Sequence, residues 1–96
     1  MQEEIKDLEI QLRKLEQLEA THIELQKEFR GLIDSTLDGY NEGWLPKSLM
    51  SLWVDLGNNK LRAIEADLIN LAKCQKETRE LIEKLNGSDY YDSTGY

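Results

Sequence analysis

Two long apolar stripes at helical spacing, joined by a single turn signal, constrain this chain more than any other feature. The first runs Ile5, Leu8, Leu12, Leu15, Leu18, His22, Leu25, Phe29, Leu32, Thr36. The second runs Leu49, Trp53, Leu56, Lys60, Ile64, Leu68, Leu71, Gln75, Thr78, Ile82, Leu85. Steps near three and four residues keep such positions on one side of an α-helix. Between the stripes lies GYNEGWLP, residues 39–46. Two matched helices with one reversal make an all-α, antiparallel, coiled-coil-like hairpin. Each helix of such a pair covers only one face of the other. The extra apolar residues Ile10, Ile23, Ile33 and Leu37 widen the first stripe beyond a two-stranded seam. That width suits a bundle, reached by self-association or with a partner.

The expected organisation is a hairpin over residues 1–87 and an acidic, Tyr-rich tail over residues 88–96. Within the hairpin, helix 1 covers about residues 2–38, a turn covers 39–45 and helix 2 covers about 46–86. Glu3, Glu4 and Asp7 suit the positive end of the first helix dipole. The step from Leu15 to Leu18 shortens the heptad pattern, a stammer that would locally overwind a coiled coil. Gly39 supplies a left-handed stop for helix 1, and Pro46 fits the first turn of helix 2. Gly57-Asn58-Asn59 could break helix 2, but the apolar phase runs on from Leu49 to Leu85, which favours one bent helix. Asn86-Gly87 is the expected stop.

Composition supports helix. The chain has 16 Leu and 7 Ile but one Val, and one Pro in 96 residues. Nineteen acids against twelve bases give a net charge of −7. Acids are mixed with bases along both helices, and no block is basic enough to neutralise a phosphate backbone. Direct nucleic-acid binding is therefore not expected. Cys74 is the single cysteine, so no internal disulfide forms, and it reads as a buried small hydrophobe. MQEEIKDLEI lacks a basic segment followed by an apolar one, and no apolar run has the length of a membrane span. The expected location is the cytoplasm, with no membrane insertion.

Little in the chain supports chemistry. One His, one Cys and no glycine-rich elbow argue against a nucleophilic triad. The glycines at 31, 39, 43, 57, 87 and 95 have no phosphate-loop spacing. One pair keeps a metal alternative open: Glu19 and His22 lie three apart and point the same way from a helix. A Glu-x-x-His unit facing into a four-helix bundle is a di-iron ligand set. A dimer of hairpins would add Glu65 from the facing helix. Against it, Glu is frequent in this chain, and a lone His on a seam more often sets register.

Length and architecture are similar to those of secreted helical-hairpin proteins marked by Trp-x-Gly in the turn. Here the turn reads Gly43-Trp44-Leu45-Pro46, so the chain is not assigned to them. The expectation is a small non-catalytic protein that acts by protein–protein interaction, as an adaptor, regulator or accessory subunit, without a cofactor. Its expected partner-binding residues are the aromatics Trp44, Trp53, Tyr90, Tyr91 and Tyr96.

Overall fold

The computed structural model describes the backbone of residues 2–93 and the side chains of residues 2–87. Two helices account for it: α1, Gln2–Glu42, and α2, Lys47–Ser93. They pack against each other as an antiparallel hairpin, with no strand among the described residues. The all-α hairpin expected from the two stripes is the fold.

The turn differs from expectation by one helical turn. Gly39 stays helical, and Gly43 takes the left-handed conformation at φ 89°. Gly43 N–H donates to the Tyr40 carbonyl at 3.1 Å and Leu45 N–H to the Gly39 carbonyl at 3.2 Å. These bonds satisfy carbonyls that the end of α1 would otherwise leave unpaired. Gly39 serves a different need. A Cβ there would stand 2.6 Å from Cζ2 of Trp44, so only glycine lets the indole ring lie on α1. Leu45 then folds under and is buried. Pro46 accepts the first α2 bond, from Met50 N–H at 3.0 Å, at a position where its missing N–H costs nothing.

Two compact units divide the hairpin. The turn unit is Ala20–Leu68. On its α1 side the buried or half-buried positions are His22, Leu25, Gln26, Phe29, Leu32, Ile33, Thr36 and Gly39. On its α2 side they are Met50, Trp53, Val54, Gly57, Leu61, Ile64 and Leu68. This corrects the expected seam, because Leu49, Leu56 and Lys60 are exposed. The reason is Gly57. It is buried, and a Cβ on it would meet Ile33 Cγ1 at 2.6 Å. α2 therefore runs through Gly57-Asn58-Asn59 unbroken. The glycine marks a close helix approach and does not break the helix.

The second unit comprises the described residues of Met1–Glu19 and Ile69–Tyr96. Ile5, Leu8, Leu12, Leu15 and Glu19 are half-buried on α1, as are Leu71, Thr78, Ile82 and Leu85 on α2. Leu18, expected in the seam, is exposed and Glu19 takes its place, so the 3–4 spacing continues without a stammer. Gln75 is buried, and its Nε2 donates to the Leu15 carbonyl at 3.3 Å. Cys74, expected to be buried, is exposed because the seam passes through its neighbour Gln75. α2 continues past Asn86-Gly87 to Ser93. Gly87 does not take the positive φ by which a glycine ends a helix.

Candidate docking surface

The α2 segment that leaves the turn carries apolar residues on more than one face. Met50, Val54, Gly57, Leu61 and Ile64 form its seam with α1. Leu49, Leu52 and Leu56 form a second row, at 40%, 62% and 46% exposure. At about 100° per residue the second row is centred roughly 125° around the helix from the seam. Trp53 lies between the two rows and is half-buried. An amphipathic helix that meets one neighbour needs only one apolar face, so the segment 49–56 has one to spare.

The flanks of α1 in the turn unit differ from each other. Leu25 and Leu32, which precede the seam residues Gln26 and Ile33, are half-buried. In an antiparallel pair they share a side with Trp53 and Lys60, which precede Val54 and Leu61. Ile23 and Leu37 lie on the opposite flank and are exposed, across from the polar Ser51, Asn58 and Glu65. Only the Leu25–Leu32–Trp53 side is apolar on both helices.

The expected partner-binding residues fall in three groups. Trp44 is 65% exposed at the tip, with its indole N–H donating to Glu42 Oε2 at 3.1 Å and its ring over Gly39. Trp53 borders the exposed row. Tyr90 and Tyr91 fall in the last turns of α2, with side chains outside the described residues; Tyr96 lies wholly outside them. The row Leu49–Leu52–Leu56 was not singled out as a site by sequence. Its period is the same as that of a core face, so the pattern alone assigned two of its members to the seam.

The residues of the metal alternative are placed as follows. His22 is half-buried on the seam, and its Nε2 stands 3.3 Å from Asp67 Oδ2. Glu65 is two residues from Asp67, so it projects about 160° away around α2. Glu19 is half-buried on α1. Among the described residues no group of three or more His, Cys, Asp or Glu comes together as a metal-holding set.

No described helix is long and apolar enough to cross a membrane. Compared with protein-family models, with curated proteins and with solved structures, the chain matches none.

Proposed function

We propose that this protein works without catalysis, as a helical interaction module that acts as an adaptor, regulator or accessory subunit. The observation that carries this reading is the exposed row Leu49, Leu52 and Leu56 beside a complete seam. Fully burying a leucine stabilises by about 1.5–3 kcal/mol. A partner that covers this row gains much of that for each residue without disturbing the hairpin. The aromatic segment with Tyr90, Tyr91 and Tyr96 supplies a second contact, since such rings bury large areas at low entropic cost. The action is placed in the cytoplasm, where the exposed thiol of Cys74 stays reduced.

The test is cross-linked co-purification from the native host, followed by mass spectrometry, with the wild type and two variants. Leu52→Asp with Leu56→Asp removes the row. Tyr90→Ala with Tyr91→Ala removes the second contact. Each should lose proteins, or copies of itself, that the wild type retains. An identical set of cross-linked species from all three would overturn the reading.

A further inference from the structure

We draw no further inference here: the strongest candidate, the exposed apolar row Leu49, Leu52 and Leu56 on α2, belongs to the docking surface already described, and nothing in the structure shows what covers it.

Discussion

The turn unit and the unit formed by residues 2–19 with 69–93 share one heptad spacing but differ in what they do with apolar residues. In the turn unit Ile33 lies over Gly57, and Leu45 and Ile64 are buried. That unit also exposes Leu49, Leu52 and Leu56 on one side of α2. Among the described residues of the other unit the buried position is a glutamine, Gln75, whose amide donates to the Leu15 carbonyl. Its exposed aliphatics among the described residues are Ile10, Leu18, Ile69 and Leu81; no two of them are three or four residues apart, so they form no row, and single exposed residues are normal on any surface. The contrast teaches that apolar content does not measure core. The unit with the closer helix packing is also the one with a second apolar face.

The largest effect should come from attacking the better-packed seam. Ile64→Asp removes a buried side chain and places an unpaired carboxylate there. It should cost about 4 kcal/mol or more and abolish cooperative unfolding at room temperature. Leu81→Asp, at an exposed position of the other unit, should cost less than about 1 kcal/mol. Thermal melts followed by circular dichroism compare the two directly. Similar losses from both would mean that the turn unit has no special claim to the core.

A sharper comparison uses glycines. Gly57→Leu must push Ile33 aside, and overpacking of this kind costs about 1–3 kcal/mol. Adding Ile33→Ala should recover part of the loss, because it removes the atoms that a new Cβ meets. A Cβ added at Gly31 would meet nothing within 4 Å, so Gly31→Ala should raise stability by about 1 kcal/mol through helix propensity. Chemical denaturation measures both. If Gly57→Leu proved as benign as Gly31→Ala, the close approach at Gly57 would not exist in solution.

The fold class was legible because long helical stripes and one turn admit few alternatives. The phase of early α2 was not. Leu49, Leu52 and Leu56 repeat with the same period as Met50, Val54 and Leu61, and periodicity cannot say which row meets α1. The deciding residue, Gly57, carries no hydrophobic signal and reads as a possible break. Gly39 misled in the same way, since its role is to admit the Trp44 ring. In α1, the apolar Leu18 outranked Glu19 on composition, whereas the regular spacing selects Glu19. The docking row was thus visible as residues but not as a surface, because exposure depends on where the partner helix lies.

His22 offers a smaller effect that also addresses the metal alternative. Its side chain is 21% exposed and that of its partner Asp67 is 58% exposed, so their contact is partly in water. His22→Leu should leave stability within about 1 kcal/mol or raise it, by exchanging a polar seam group for an apolar one. Elemental analysis of the purified wild type should find no stoichiometric iron, manganese or zinc. A metal present in the wild type and lost in His22→Ala would favour the dimeric Glu19, His22 and Glu65 arrangement.

The smallest effect tests whether charge supports the unit whose buried group is Gln75. Arg79 Nη2 stands 3.8 Å from Glu16 Oε2, the two side chains each about half exposed. At that distance and exposure, water and salt screen most of the attraction, and holding two long side chains in place costs entropy. A double-mutant cycle with Glu16→Gln and Arg79→Gln should therefore return a coupling of about 0.2–0.5 kcal/mol. Raising the salt concentration should shrink it further. A coupling well above about 1 kcal/mol that survives high salt would mean that the pair is drier than its exposure implies. Something would then cover that flank, and the contrast between the two units would have to include a second buried surface.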